Sequence, residues 1–474
     1  MKDLVLKTRS HNFPMSTTKF VSTDYVRARF SSAMSQMYRL EVPQYGILVE
    51  LVRQVNAAAL KKNPGLHERL QSQGELDRID EERHGAIRLG TAAELATICR
   101  IFRVMGMEPV GYYDLSEAGV PVHSTAFRPV TEKALQRNPF RVFTSLLRLE
   151  LLRDVALRSE AAAILAKRKI FSEPALALLE QFEINGVLSH EDADEFVTQV
   201  LQTFRWHNKA TVDAMTYKRL HAAHPLVADI VCFNGPHINH LTPRTLDIDA
   251  AQMEMLRRGM QSKDVIEGPP RRKYPILLRQ TSFKALVEHV SFGVDDINGT
   301  HTARFGEVEQ RGMALTPAGR RLYDDLLSSA QKLNSASSAS MNYPQLLTQA
   351  FCGFPDDLKI LSDRGLVFCR YQVADEAAFL RSAQAGDPWD LHQMVGSGLI
   401  DAEPITYEDF LPISAAGIFQ SNLKGAEQKR YNAASAKGAF EAAMQSKVLD
   451  EMALYSDTES ASIDLLRARF SLVA

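Results

Sequence analysis

The spacing of apolar residues changes along the chain from a helical period to a strand period and back. At the N-terminal end, apolar positions three and four residues apart predict two helices, over 25–41 and 43–59. The next stretch predicts a strand, a helix and three more strands, which together make one βαβββ unit. These elements are expected over 82–90 (strand), 92–105 (helix), 109–114, 120–128 and 140–149 (strands).

The middle of the chain changes period twice more. Residues 151–224 are rich in alanine, leucine and glutamate at helical spacing and predict an all-helical insertion. Strand-like patterns then return, and the order strand, helix, strand, strand, strand is repeated. Its elements are expected over 226–233 and 234–241 (strand-like), 248–260 (helix), 274–280, 283–292 and 303–311 (strands). The sequence therefore predicts two βαβββ units in a pseudo-symmetric sheet curled around a cleft.

The last part of the chain is predicted to be mostly helical. Helical spacing covers 320–333 and 438–455, and the serine- and alanine-rich run 334–340 predicts a short flexible linker. Residues 407–421 are apolar with little polar surface, a pattern that favours a loop packed inward.

The predicted fold class is α+β. Paired βαβββ units form a curled central sheet or partial barrel, with a helical insertion and further mostly helical N- and C-terminal segments. The expected divisions are a lead-in with helices (1–75), the first βαβββ unit (76–150), the insertion (151–224), the second βαβββ unit (225–315), and a C-terminal region (316–474) with an inward loop (407–423).

Composition and charge narrow the classes of function. The 474 residues are 45% hydrophobic and 24% charged, which is ordinary for a globular protein. The formal net charge of −2 gives no reason to expect nucleic acid or an anionic membrane as a partner. The four cysteines lie far apart, so neither a zinc ribbon nor a disulfide scaffold is expected. With no signal sequence and no long apolar run, the expected compartment is the cytoplasm.

The first predicted strand carries a histidine and an arginine that point the same way. Side chains alternate faces along a strand, so His84, Ala86 and Arg88 share one face. At about 3.3 Å per residue, His84 and Arg88 leave the backbone roughly 13 Å apart. That layout suits a substrate with one end on a metal and a distal carboxylate on the arginine. A single strand histidine is more often structural, so the hypothesis depends on its partners.

The second predicted unit supplies those partners. His240 occupies a place comparable to that of His84, and Glu307 lies on the closing strand. Two histidines and one carboxylate are the ligand set of non-haem Fe(II) oxygenases. Spacing leaves alternatives open, since Glu309 shares the face of Glu307 and His123 is another histidine able to face inward. His237 would face away from His240 on a regular strand.

Other catalytic systems lack support in the sequence. No glycine-rich dinucleotide motif or P-loop is present, and neither is a nucleophile elbow or a His-Glu-x-x-His helix.

Several long stretches of the sequence are distinctive as whole motifs. They include Glu-Val-Pro-Gln-Tyr-Gly (41–46), Glu-Arg-His-Gly-Ala-Ile-Arg (82–88), Val-Pro-Val-His-Ser-Thr-Ala-Phe-Arg (120–128), Gly-Pro-His-Ile-Asn-His-Leu-Thr-Pro-Arg (235–244), His-Thr-Ala-Arg-Phe-Gly-Glu (301–307) and Tyr-Glu-Asp-Phe-Leu-Pro (407–412). With these motifs the chain resembles the bacterial 2-oxoadipate dioxygenase/decarboxylase family, also called D-2-hydroxyglutarate synthases. The resemblance runs from about residue 23 to the C-terminal helix.

The resemblance implies a fold related to the vicinal-oxygen-chelate superfamily, which is built from paired βαβββ units. It implies that His84, His240 and Glu307 are the metal ligands, which decides between Glu307 and Glu309. It places the distal carboxylate of the substrate on Arg88 and further substrate contacts on Ile413 and Ser414. The family has valine where this chain has Ile413, an apolar exchange that should change the pocket volume slightly.

The implied activity needs Fe(II) and dioxygen. The expected reaction is oxidative decarboxylation and intramolecular hydroxylation of 2-oxoadipate to D-2-hydroxyglutarate and CO2, in lysine catabolism. The expected partners are thus a small 2-oxo dicarboxylate and O2, with the oligomeric state left open. The alternatives are another metal-dependent vicinal-oxygen-chelate enzyme, such as a glyoxalase-like isomerase or a ring-cleaving dioxygenase, or a binding protein with a degenerate metal site.

Overall fold

A computed structural model describes residues 20–72, 74–293, 297–336, 343–411 and 433–473.

The N-terminal region is helical. Both predicted helices are confirmed, and a third follows them. Ser22 caps the first helix by accepting a hydrogen bond from the Tyr25 amide. The elements are β1 (Phe20–Val21), α1 (Thr23–Glu41), α2 (Pro43–Lys62) and α3 (Pro64–Ser72).

The first βαβββ unit is confirmed in order and nearly in length. Thr91 and Glu94 form a capping box at the start of its helix, which explains the sharp boundary after the first strand. One short extra helix lies before the last strand. The elements are β2 (Arg83–Leu89), α4 (Ala92–Val104), β3 (Glu108–Asp114), β4 (Val122–Arg128), α5 (Glu132–Arg137) and β5 (Arg141–Leu147).

The insertion is predominantly helical, as predicted. It departs from the all-helical prediction in one short strand, which pairs with β1. The elements are α6 (Val155–Leu165), α7 (Glu173–Asn185), β6 (Leu188–Ser189), α8 (His190–Gln202) and α9 (Ala214–Ala223).

The second unit begins with a helix, so the strand predicted over 226–233 is wrong. Pro225 occupies the first turn of this helix, and the His224 side chain caps it by accepting a hydrogen bond from the Leu226 amide. The run is apolar without a period because every residue from 226 to 231 is buried. The elements are α10 (Pro225–Val231), β7 (His240–Pro243), α11 (Ile248–Arg257), β8 (Leu278–Ser282), β9 (Glu288–Phe292), β10 (Ile297–His301) and β11 (Glu307–Arg311).

The central sheet joins the two halves of the chain. Its strand order is β3-β4-β5-β2-β7, with β2 parallel to β5 and antiparallel to β7. A bridge between Arg244 and Glu309 places β11 beside the end of β7, so the β8–β11 pair continues the curled sheet. The second unit is therefore less regular than predicted, because β7 pairs with the first unit and, among the described strands, β9 pairs with β10 in a separate two-stranded sheet.

The C-terminal region contains helices and a two-stranded sheet, β12–β13. The single helix predicted over 438–455 is wrong, because two helices are separated by a break in which Gln445 has a φ of 57°. Helix α12 extends to residue 336, and the rest of the predicted linker lies outside the described residues. The elements are α12 (Pro317–Ala336), α13 (Tyr343–Ala350), α14 (Leu358–Asp363), β12 (Cys369–Val373), α15 (Glu376–Gln384), α16 (Leu391–Gly396), β13 (Ile400–Pro404), α17 (Ala433–Met444) and α18 (Glu451–Val473).

Successive residues of the central strands face two different hydrophobic cores. Ile87 and Val142 pack with α1, α2, α4 and α8, whereas Ala86 and Phe143 belong to the core on the other side, with Phe410. His84 and Arg88 share the face of Ala86, so they lie on the side covered by the segment around Phe410. Within the described ranges, no helix is both long and apolar enough to cross a membrane.

Candidate metal centre and substrate wall

One face of β2 and β7 presents the two predicted histidines together. Ala86 of β2 lies opposite His240 of β7, and residues opposite one another in antiparallel strands share a face. His240 therefore lies between His84 and Arg88 on this shared face of β2 and β7. We call this face the wall. The two imidazole rings stand edge to face, with their centroids 5.3 Å apart.

Glu307, the first residue of β11, completes a group of three buried ligand-type side chains. One ligand atom each from His84, His240 and Glu307 lies within 4.8 Å of the others. Glu307 Oε1 is 3.1 Å from His84 Nε2 and 4.0 Å from His240 Nε2. These side chains are close enough to hold one metal ion together.

The polar atoms of this group support a cation at their centre. Both ring nitrogens of His84 and of His240, and Glu307 Oε2, are buried and have no hydrogen-bond partner in the described part of the chain. The short distances from His84 to carboxylate oxygens do not have hydrogen-bond geometry. Buried polar atoms without partners are costly, and two imidazoles with one carboxylate suit a divalent transition metal. The residues present therefore fit a metal ion.

A second layer of side chains orients the carboxylate of Glu307. Its Oε1 accepts hydrogen bonds from Gln280 Nε2 at 2.7 Å and from Thr242 Oγ1 at 3.2 Å. These two hydrogen bonds fix the orientation of the carboxylate beside the two histidines.

Glu309, the alternative that spacing left open, contacts the far side of the His84 ring. Its Oε2 is 2.9 Å from His84 Nδ1, and the fork of Arg311 donates to both of its oxygens at 2.9 and 3.0 Å. Burial raises the pKa of Glu309, but Arg311 and His84 outweigh burial and lower it to about 2. Glu309 is thus an ionised carboxylate beside Nδ1, and it is not one of the three clustered ligand atoms.

The two imidazoles differ in charge preference. Burial lowers the pKa of His84, yet the carboxylates of Glu309 and Glu307 outweigh burial and raise it above the ordinary value. Burial, with His84 and Arg88 nearby, lowers the pKa of His240 well below the ordinary value. His240 is therefore neutral, the form that ligates metals, and the carboxylates around His84 favour a positive charge there.

Arg88 stands at the other end of the wall. Its Nη1 donates to Asp229 Oδ2 of α10 at 2.7 Å, and its side chain keeps 14% of its accessible surface. Between Arg88 and His84 the wall is lined by Ala86, with Phe143 of β5 beside it. The geometry thus places a cation and a metal-type group at the two ends of one short strand.

Part of the predicted inward loop covers this wall. Phe410 is buried and packs against both His84 and Phe143, with ring centroids 5.0 and 5.4 Å away. Arg128 holds the neighbouring Asp409 through two hydrogen bonds of 2.7 and 3.1 Å. The described residues 407–411 are therefore packed inward, as predicted. Residues 412–423, including Ile413 and Ser414, lie outside the described residues.

A buried charge network supports the same segment. Glu82 accepts hydrogen bonds from Arg141 and Arg244, each at 2.8 Å, and Arg141 also pairs with Glu408. Arg78 donates to Glu408 at 2.9 Å. Because all these side chains are buried, the residues that flank Phe410 are held to the strand that carries His84.

The other candidate histidines lie elsewhere. His123 of β4 contacts the Tyr112 hydroxyl at 3.3 Å, and burial lowers its pKa to about 4. His237 is buried, and its Nε2 lies 3.3 Å from Asp229 Oδ1. Neither histidine belongs to the group of three.

Sequence reasoning missed Asp229, Gln280 and Thr242. Asp229 could have been found from the sequence, because it is the one carboxylate in the apolar run 226–233. A carboxylate buried in such a run needs a hydrogen-bonded or charged partner. No such signal marks Gln280 and Thr242, since their role depends on how β7, β8 and β11 meet.

Comparisons with known proteins agree on one family. The family model described as 2-oxoadipate dioxygenase/decarboxylase matches residues 30–422. The 2-oxoadipate dioxygenase/decarboxylase of Pseudomonas putida is 54% identical over 95% of this chain and 97% of its own length, and the Escherichia coli protein of the same name is 54% identical over 93% and 98%. The crystal structure of the hydroxyglutarate synthase in complex with 2-oxoadipate from Pseudomonas putida superposes with a TM-score of 0.88 at 53% identity, covering 96% of this chain and 99% of that chain. The chain belongs to the 2-oxoadipate dioxygenase/decarboxylase family.

Proposed function

We propose that this protein converts 2-oxoadipate and O2 to D-2-hydroxyglutarate and CO2, in lysine catabolism. The observation that carries the proposal is the buried group of His84, His240 and Glu307 on the same wall as Arg88. Atoms balance in this reaction, because one substrate supplies the carbon lost as CO2 and both oxygen atoms of O2 end in the products. The relatives named above support the choice of substrate.

Iron is the metal that we propose for the group of three. Fe(II) held by His84, His240 and Glu307 would supply the redox chemistry with O2 and open positions for a chelating 2-oxo acid. The protein's own contribution is to hold these ligands. Gln280 and Thr242 orient Glu307, and Glu309 lies on the Nδ1 side of His84, which leaves Nε2 to the metal.

Arg88 is the residue that we propose for the distal carboxylate. A guanidinium presents two parallel N–H groups to a carboxylate, so it fixes the orientation of the substrate as well as its position. Because Arg88 and His84 lie on one face of β2, the strand itself sets the distance between the two ends of the substrate. Substrates of another length would fit this wall less well.

The remaining contacts come from the C-terminal segment. We propose that Ile413 and Ser414 contact the substrate, as the family resemblance implies. Phe410, three residues before Ile413, packs on His84 and supports this proposal. The buried, apolar side chain of Phe410 would help to exclude water beside His84.

The test is single-turnover chemistry. The protein is loaded with Fe(II) without oxygen, then given O2 and 2-oxoadipate, and the products are identified by mass and chirality. We expect one CO2 and one D-2-hydroxyglutarate per O2 consumed. Isomerisation or ring cleavage without CO2 release would contradict the proposal and favour another metal-dependent member of the wider superfamily, and no turnover would favour a binding protein.

A matched pair of variants tests whether His84 is a metal ligand. His84→Ala should lose bound metal and oxygen uptake, whereas His123→Ala removes another buried histidine of the same sheet and should keep both. Normal oxygen uptake by His84→Ala would refute the ligand set.

Two broader expectations stay proposals. We propose that the protein works in the cytoplasm, because Cys99, Cys232 and Cys369 are buried as free thiols. Cell fractionation tests this proposal.

We also propose that the chain is divided into the five units 1–75, 76–150, 151–224, 225–315 and 316–474. Limited proteolysis tests this division.

A further inference from the structure

A second cluster of buried titratable side chains lies behind Arg88. Its centre is Asp229 of α10, whose Oδ2 accepts a hydrogen bond from Arg88 Nη1 at 2.7 Å. Asp229 Oδ1 lies 2.9 Å from His301 Nε2 and 3.3 Å from His237 Nε2. The side chains of Asp229, His301 and His237 are each at least nine-tenths buried. One carboxylate thus joins two histidines to the arginine of the substrate wall.

The surroundings leave this carboxylate little freedom. His301 Nδ1 is 2.9 Å from the Tyr217 hydroxyl, and the ring of Trp206 lies parallel to the ring of His301 at 5.9 Å. Trp206 also meets His237 edge to face at 4.7 Å. Because both histidines are held by other side chains, Asp229 has a fixed position.

Asp229 is charged in this setting. Burial raises its pKa, but His237, His301 and Arg88 outweigh burial and lower it well below the ordinary value. A largely buried guanidinium beside an ionised carboxylate is stabilised, so Asp229 also stabilises Arg88 in its position when no substrate is bound.

We propose that Asp229 is a positioning residue that holds the guanidinium of Arg88 for the distal carboxylate, and thereby makes the site selective for 2-oxo acids with a second carboxylate. This inference rests on the proposed function. Arginine has a long side chain with many rotamers, and binding a carboxylate in one geometry costs the entropy of all of them. A fixed acid on one edge of the guanidinium removes that cost before the substrate arrives.

The opposite role for Asp229 is physically possible and gives the opposite result. An acid beside Arg88 competes with the substrate carboxylate for the same cation. In that case, removing the charge of Asp229 would tighten substrate binding, whereas under our proposal it weakens binding.

The experiment compares Asp229→Asn with the unchanged protein, both loaded with Fe(II). Two substrates are used, 2-oxoadipate and 2-oxohexanoate, which has the same chain length without the distal carboxylate. We expect KM for 2-oxoadipate to rise roughly tenfold, as for one charge-assisted hydrogen bond. We expect kcat to change less, iron content to stay equal, and KM for 2-oxohexanoate to stay the same.

The matched control is Asp114→Asn. Asp114 pairs with Arg148 at 3.1 Å with similar burial, and β4 and β5 lie between its strand and β2. This variant should leave both KM values unchanged, so a shift specific to Asp229 is not a general effect of losing an ion pair.

His301→Phe provides a second variant if Asp229→Asn does not fold. Phenylalanine keeps a ring beside Trp206 but cannot donate to Asp229, so KM for 2-oxoadipate should again rise selectively, by a smaller factor. An unchanged or lower KM for 2-oxoadipate in a folded variant, or an equal rise for both substrates, would overturn the inference. If the unchanged protein does not turn over 2-oxoadipate, the proposed function fails instead.

Discussion

At the scale of single residues, the proposed functional side chain at each end of the wall is in contact with a buried carboxylate. His84 and Arg88 each touch a buried carboxylate, Glu309 for the histidine and Asp229 for the arginine. Each carboxylate is held in turn by other charged or polar groups, Arg311 for Glu309 and His301 for Asp229. The orientation of each proposed functional group thus depends on a neighbouring carboxylate and on the groups that hold that carboxylate.

Removing Arg88 should separate substrate binding from metal binding. We expect Arg88→Ala to raise KM for 2-oxoadipate and reduce turnover while metal content stays near normal, because the distal carboxylate loses its partner. Arg88→Lys keeps the charge without the planar fork and should give an intermediate defect. Metal analysis beside steady-state kinetics measures both, with Arg148→Ala as the control of similar burial. Loss of metal from Arg88→Ala would contradict this role.

Removing the charge of Glu309 should weaken metal binding. Without its carboxylate beside Nδ1, His84 is oriented less firmly, and a change of this kind costs about 10–100-fold in metal affinity. Titration of Glu309→Gln with Co(II), followed by the visible absorption of the bound ion, measures the affinity without any turnover. Glu254→Gln, which loses an arginine-bound carboxylate on α11, is the control. Equal Co(II) affinity in both variants would show that Glu309 does not support His84.

At the scale of elements, the close approach of β7 to β2 brings the two halves of the site together. Gly85 of β2 has no side chain where β7 and the residues before it pass. A Cβ there would lie 2.5 Å from Ile238 Cδ1 and 3.1 Å from the His240 carbonyl oxygen. An added Cβ would require the Ile238 side chain to rotate and the His240 carbonyl group to move by a few tenths of an ångström.

Gly85→Ala should therefore weaken both stability and metal binding. Crowding of this kind costs about 1–3 kcal/mol, and the shift of His240 adds a loss of metal affinity. Ile238→Val removes the Cδ1 atom that the new methyl group meets first, so the double variant should recover part of both losses. Urea denaturation and Co(II) titration measure them. A double variant no better than Gly85→Ala would show that the clash with Ile238 is not the cause.

At the scale of the whole molecule, buried arginine–carboxylate pairs hold distant parts of the chain together. Glu75, just before β2, pairs with Arg244 after β7 at 3.0 Å and accepts a hydrogen bond from Thr406 beside the C-terminal segment. Burial raises the pKa of Glu75, but Arg244 and Arg78 outweigh burial and lower it below its ordinary value of 4.5. Its charge therefore stabilises the folded protein above about pH 4.5, and that contribution is lost as the pH falls below this value.

Glu75→Gln should destabilise the protein most at neutral pH. We expect a loss of roughly 3 kcal/mol at pH 7, since a buried pair loses one partner. The difference from the unchanged protein should shrink below pH 4.5, where the unfolded chain takes up a proton that the folded Glu75 resists. Urea denaturation from pH 7 to pH 4 measures this. A constant difference across that range would mean that Glu75 has the same pKa in both states.

The sequence alone determined the features that follow from local periodicity. The period of two in the first unit predicted β2 and placed His84 and Arg88 on one face, and helical spacing predicted α1 and α4. The run 226–233 was misread because a fully buried segment has no period to separate a helix from a strand. The break at Gln445 was missed because helical spacing continues on both sides of it.

Tertiary structure decided what periodicity could not. Glu307 and Glu309 share one strand face, so spacing could not choose between them. The meeting of β11 with β7 and β2 brings Glu307 to the histidines and leaves Glu309 beside Nδ1. Asp229 of α10 reaches Arg88 of β2 although the two residues are 141 positions apart in the sequence. The wall with His84 and Arg88 was therefore determined locally, whereas the atoms that complete each end of it depend on long-range packing.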